Sequence, residues 1–106
     1  MQKRTIKYSR TYIKSARKVI EGNNKLRNRL EARVHLFIGD STNPILRDHS
    51  LSGNLYGLRA FRITGDIRIV YLISDAGIEF LDIGTHSQVY RGCFFQIFNK
   101  IYTLIP

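Results

Sequence analysis

From Thr5 to Tyr8 polar and apolar side chains alternate, the period of a short strand. The period then lengthens. Between Ser9 and Glu21 the apolar positions Tyr12, Ile13, Ala16, Val19 and Ile20 recur at three and four, which predicts a helix stopped by Gly22-Asn23-Asn24. Asn24 suits the cap of a second helix, whose Leu26, Leu30, Val34 and Phe37 fall within about an 80° arc at 100° per residue, with Arg33 at the edge of the arc. Gly39 ends that helix, and a polar loop containing Pro44 runs from Asp40 to Ser52. Two helices joined so closely pack as an antiparallel hairpin. The second half of the chain changes period again. Leu58–Thr64, Arg68–Ser74 and Ile78–Gly84 are rich in Ile, Val, Phe and Tyr, and Gly65-Asp66 and Asp75-Ala76-Gly77 separate them, so they read as an antiparallel meander. The predicted order is β-α-α-β-β-β. This is an α+β fold with a helical hairpin on one face of a small antiparallel sheet and the other face left available for function.

At 106 residues the chain is one domain, and its 43% hydrophobic content suffices for a single core, which argues against disorder. Charge changes the picture more. The formal net charge is +9, and all of the excess lies in the first third: residues 1–33 carry eleven Lys and Arg against Glu21 and Glu31, whereas residues 34–106 carry six of each sign. One basic surface points to a polyanionic partner, nucleic acid or an acidic protein. The single cysteine, Cys93, excludes an internal disulfide framework and a cysteine-based zinc site. The basic residues run on from Lys3 to Lys18 with no apolar core behind them, so no secretion signal is expected, and no apolar run is long enough to span a membrane; a cytoplasmic protein is the expectation.

Three histidines are candidates for chemistry. His35 lies about 180° around the second helix from Leu26, a solvent-facing position. His49 stands in the loop Asp48-His49-Ser50-Leu51-Ser52-Gly53, and His86 in Gly84-Thr85-His86-Ser87-Gln88-Val89-Tyr90, just past the last strand. Both are better placed for function, because loops beside a rigid sheet commonly carry it. Arg59, Arg62 and Arg68 lie on the strands between, and Asp66 in the turn. Each arginine alone has an ordinary reading as a salt bridge or a sheet-edge charge. As a set they suit a phosphodiester: guanidinium groups hold phosphate oxygens and imidazoles transfer protons near neutral pH. There is no glycine-rich phosphate loop, no metal-ligand cluster and no nucleophile motif, so neither a metal nor another cofactor is expected.

The stretch DHSLSGNLYGLRAFRITGDIRIVYLI (48–73), with LDIGTHSQVY (81–90), resembles the RelE/ParE superfamily of bacterial toxins, and within it the YafQ branch. The hallmarks are a DHxLxG loop, a GxRxxxIxxDxxxxY hairpin and a closing GTHxxxF/Y. The resemblance is strong over about forty residues, and the predicted element order extends it over 1–90, the toxin domain. It implies a type II toxin that cleaves mRNA on the ribosome and is neutralised by a cognate acidic antitoxin. By position it carries site roles to His49, Asp66, His86 and Tyr90. Two positions depart from the branch: Arg62 stands where a second histidine is common, and Ile67 where a tryptophan is expected. Arg68, in IRIVY, looks like the arginine of the RelE branch.

The implied chemistry is metal-free attack of a ribose 2′-OH on the adjacent phosphorus. His86 is then the general acid, His49 or Asp66 the base, and Arg68 and Arg62 the cations on the phosphate, with Arg59 an RNA contact and Tyr90 stacked on a base. Two alternatives stay open: a gyrase inhibitor of the ParE kind, or a binding module with a disabled site. Residues 91–106, RGCFFQIFNKIYTLIP, form an apolar extension beyond the closing motif, open to reading as an added element, as a cover for the active surface, or as a segment without a role.

Overall fold

The computed structural model describes residues 5–51 and 57–89. In chain order these form β1 (Ile6–Tyr8), α1 (Arg10–Ile20), α2 (Asn24–Gly39), a 3-10 turn (Pro44–Leu46), β2 (His49–Ser50), β3 (Leu58–Arg62), β4 (Arg68–Ser74) and β5 (Gly77–Gly84). The strands make one sheet in the order β1-β5-β4-β3-β2. The α+β class and the helical hairpin on one face are as expected, and β4 has the expected limits.

Several particulars differ. The sheet has five strands, because the two residues of β2 pair antiparallel with β3, His49 opposite Ala60. It is not wholly antiparallel: the two helices return the chain so that β1 runs parallel to β5, Ile6 opposite Ile78 and Tyr8 opposite Phe80. The cap of α2 is Asn23 rather than Asn24, since the Asn23 carboxamide oxygen reaches the Leu26 amide at 3.0 Å while Asn24 is already helical.

The helix side of the sheet is filled with aromatic rings. Phe37 of α2 stacks on Phe61 of β3 with centroids 4.3 Å apart and planes 8° from parallel. Tyr12 of α1 meets Phe80 of β5 edge-on at 5.4 Å, and Leu30, Leu46, Ile69 and Tyr71 complete this core. The opposite face is not simply open, as expected from sequence. Leu51, Leu58, Ala60, Val70, Leu81 and Val89 are buried there in a second apolar cluster. The strands carry apolar side chains in both alternating sets, and a sheet so built buries both faces.

Two contacts tie the helices to the last strand. Ser9 accepts the Tyr12 amide on Oγ at 2.9 Å, capping α1, and donates its own hydroxyl to the Leu81 carbonyl at 2.7 Å. Ser9→Ala removes both, and we expect a loss of about 1–2 kcal/mol in urea unfolding with the m value unchanged. Gly77, at φ +124°, opens β5 where β1 passes so close that a Cβ would lie 2.6 Å from the Thr5 carbonyl oxygen.

Asp82 is the one buried acid among the described residues. Burial pushes its carboxyl above the usual range, against hydrogen bonds from Ser15 and the Ile83 amide that act the other way. A carboxyl raised in the fold favours its protonated form there. Its contribution is therefore full below the unfolded pKa of about 4 and is lost as pH rises through the raised folded value. Asp82→Asn keeps an acceptor for Ile83 and removes the charge. The variant is expected to have a higher urea midpoint than wild type at pH 8, with the advantage shrinking as pH falls through the raised folded value and gone below about 4.

Candidate active site

Strand parity decides which arginines meet. Arg62 shares its side of β3 with Leu58 and Ala60, away from the helices, and stands directly opposite Arg68 of β4 in the ladder. Like charges directly opposed in a sheet are destabilising. Both nonetheless line a groove of about 250 Å³, together with Arg47, His49 and the edge of Phe61. The Arg68 Nε is buried and has no hydrogen-bond partner among the described residues. An N–H left unsatisfied on a cation, at the wall of a groove, is suited to an incoming anionic oxygen.

His49 is held from behind. The 3-10 turn ends at Arg47 in the left-handed conformation, φ 48°, with its amide bonded to the Pro44 carbonyl. This aims the Arg47 carbonyl at His49 Nδ1, 2.9 Å away. A carbonyl only accepts, so Nδ1 carries the proton and the neutral ring keeps its lone pair on Nε2.

His86 has the opposite arrangement. Its Nδ1 lies 3.4 Å from the Arg68 Nη1, and a guanidinium only donates, so the proton of the neutral ring is on Nε2. The ring is fixed by its place in the chain. Thr85 and Gln88 cap each other reciprocally, the Thr85 amide donating to Gln88 Oε1 at 3.0 Å and the Gln88 amide to Thr85 Oγ1 at 3.4 Å. Such a pair starts a helix, and residues 86–89 are helical with His86 first. Gly84 leaves room for this turn, since a Cβ there would sit 2.8 Å from Gln88 Oε1.

A second polar unit lies under the loop that carries Arg47 and His49. The Tyr71 hydroxyl donates to the Asp48 carboxylate, 2.7 Å from each oxygen. Arg59 Nε lies 3.3 Å from Asp48 Oδ1 and 3.2 Å from the Tyr71 hydroxyl, and its Nη1 donates to Ser50 Oγ at 2.7 Å. Burial, then the neighbouring carboxylate, raises the Tyr71 phenol well above its ordinary pKa, so it stays a donor. Asp48 sits between two groove residues in sequence, and this unit pins it to β3 and β4.

His49, Arg62, Arg68 and His86 thus come together. Arg59 does not join them: it shares its side of β3 with Phe61 and is engaged by Asp48, Tyr71 and Ser50. Asp66 is exposed in the β3–β4 turn, where its amide bonds Thr64 Oγ1, and it is not among the groove-lining residues. His35 is exposed on α2. Tyr90 and the extension 91–106 lie outside the described residues. Sequence reasoning missed Arg47, which no periodicity marks, and the Asp48–Tyr71 bond, for which the hairpin motif itself was the signal. Among the described residues no three His, Cys, Asp or Glu side chains converge as metal ligands.

Residues 4–91 match the family model described as the bacterial toxin of type II toxin–antitoxin systems, YafQ. The chain belongs to this family. Among solved structures, YafQ from Escherichia coli strain BL21(DE3) superposes with a TM-score of 0.69 at 25% identity, covering 82% of this chain and 98% of that one. YafQ in the E. coli DinJ–YafQ toxin–antitoxin complex gives 0.69 at 27% identity, over 84% of this chain and 99% of that one. A YoeB/ParE toxin from Agrobacterium tumefaciens shares the fold, with a TM-score of 0.65 at 15% identity over 77% and 98%. No curated protein sequence matches the chain. Among the described residues no helix is long and apolar enough to cross a bilayer.

Proposed function

We propose that this YafQ-family toxin is a ribosome-dependent mRNA endoribonuclease. The observation that carries the reading is an arginine-lined groove with His49 on its wall and His86 in contact with its Arg68. His49 Nε2 takes the proton of a ribose 2′-OH, whose oxygen attacks the neighbouring phosphorus. The bond from phosphorus to the 5′-oxygen breaks, and His86, acting as the imidazolium, gives its Nε2 proton to that oxygen and is left neutral. The products are a 2′,3′-cyclic phosphate and a free 5′-OH. Arg68 and Arg62 balance the charge that builds on the phosphorane, and the unpartnered Arg68 Nε gains an acceptor there. His49 is preferred to Asp66 as base because it lines the groove. Arg59 acts as a positioning residue, through Asp48. The basic first third of the chain engages ribosomal RNA, and an acidic antitoxin covers the same surface in the cell.

The test is primer-extension mapping of an mRNA on translating ribosomes, with chemical identification of the new ends. Cuts within codons that leave cyclic phosphate and 5′-OH support the reading. A folded protein that makes no cuts, or that leaves 5′-phosphate ends, overturns it and returns gyrase inhibition or a disabled site to first place.

A further inference from the structure

A second concavity, of about 400 Å³, adjoins the catalytic groove. Arg29 and Arg33 of α2 line one side, Pro44 and Ile45 of the 3-10 turn supply apolar surface, and Arg47 and Arg62 belong to both hollows. None of these four arginines has a carboxylate within ion-pair distance among the described residues. Arg29 and Arg33 are also i and i+4 on one helix face, a like-charge spacing that weakens a helix on its own. Four uncompensated guanidinium groups around one hollow favour an anion with several oxygens, for which the planar fork is shaped. An exposed Ile45 beside them offers an apolar surface to a ribose or base.

The order of residues across the sheet gives the hollow a direction. From β5 across the sheet toward the β2 edge the order is His86, Arg68 of β4, Arg62 of β3, then His49 and Arg47 at β2, with Arg33 and Arg29 beyond. The acid that protonates the 5′-oxygen is at one end of this row, and the base on the 2′-OH is toward the other. We infer that the α2 hollow binds the RNA phosphate on the 5′ side of the nucleotide whose 2′-OH attacks. The inference rests on the nuclease reading and adds strand polarity and a specific backbone contact to it. The hollow's continuity with the groove favours RNA over an acidic protein as its occupant, because a single strand lying across the arginines reaches both without leaving the surface.

The experiment measures dissociation constants of the full-length protein for a short RNA carrying a 2′-O-methyl group at the reacting nucleotide, which blocks cleavage. The probe begins at that nucleotide and is made with a 5′-hydroxyl, a 5′-phosphate, or a 3′-phosphate. The 5′-phosphate is expected to tighten wild-type binding by about tenfold, the effect of one charge-assisted contact. In the Arg29→Gln/Arg33→Gln double variant that gain disappears, while the 5′-hydroxyl probe binds as to wild type. Circular dichroism melting checks that the variant is folded. Should it not fold, each single variant must show a reduced gain. A gain that persists in the variants, or a larger gain from the 3′-phosphate, overturns the inference. So does a variant that binds all probes as wild type does and loses only the acidic antitoxin. A wild type that cuts mRNA yet shows no 5′-phosphate gain overturns this inference alone, whereas a wild type that neither cuts nor binds any probe overturns the nuclease reading with it.

Discussion

His86→Ala is expected to lower mRNA cleavage by at least about two orders of magnitude, within the 10²–10⁴ that one positioned proton donor commonly supplies. The fold should survive. His86 is exposed at the start of a helical turn whose capping pair, Thr85 and Gln88, the substitution leaves in place. The loss should fall on the chemical step, so ribosome binding in pull-down stays near the wild-type level while single-turnover cleavage slows. His86→Gln separates donor from shape: it can still meet Arg68 but is a very poor acid, and should be nearly as slow as the alanine variant. Either variant cutting at the wild-type rate would remove His86 from the mechanism and leave the arginines as bystanders to an acid elsewhere.

The second large effect is expected at a residue that never enters the groove. Asp48→Ala leaves the Tyr71 hydroxyl and the Arg59 Nε without their carboxylate, beneath the loop that presents Arg47 and His49. Losing an acceptor that is charged and mostly buried costs about 1–3 kcal/mol, visible as a lower urea midpoint. The loop also loses its side-chain anchor to Tyr71, keeping only the β2 pairing and the Ser50–Arg59 bond, and a base misplaced by an ångström is commonly worth about 10²-fold in rate. Tyr71→Phe supplies the graded comparison. Arg59 still holds Asp48, so stability should fall by only about 1 kcal/mol and cleavage by less than in Asp48→Ala. A merely structural role would lower the urea midpoint in both and leave the rate of the folded fraction unchanged. A positioning role moves that rate, while the pH dependence set by the imidazoles is kept.

What the chain announced in advance follows from how local each signal is. A continuous run of Ile, Val, Tyr and Leu between two turn sequences fixes Arg68–Ser74 without reference to anything else. The two residues of β2 have no period of their own and are strand only because β3 lies beside them. The parallel placement of β1 depends on where two helices deliver the chain, which no window of sequence contains. At the site, His49 and His86 could be picked out as loop histidines next to strands. Arg59 could have been set apart from Arg62 by parity, since it alternates in phase with Phe61, whose size marks the core side. Arg33 carried a legible hint as well: at the edge of the apolar arc of α2 it is directed toward the sheet margin rather than into open solvent. Arg47 had no hint, because its role comes from a left-handed backbone that ends a turn.

The parallel seam between β1 and β5 also sets a schedule. Protein chains are made from the N terminus, and domains fold as their parts emerge. Tyr8 has no Phe80 to meet, and Ser9 no Leu81 carbonyl, until the ninth tenth of the described segment has been synthesised. Arg68 acquires its imidazole neighbour later still, with His86. A ribosome translating this toxin therefore carries the basic helices before any groove residue of β3 or β4 has been made. The groove flanked by both imidazoles therefore first exists in a chain made at least to His86.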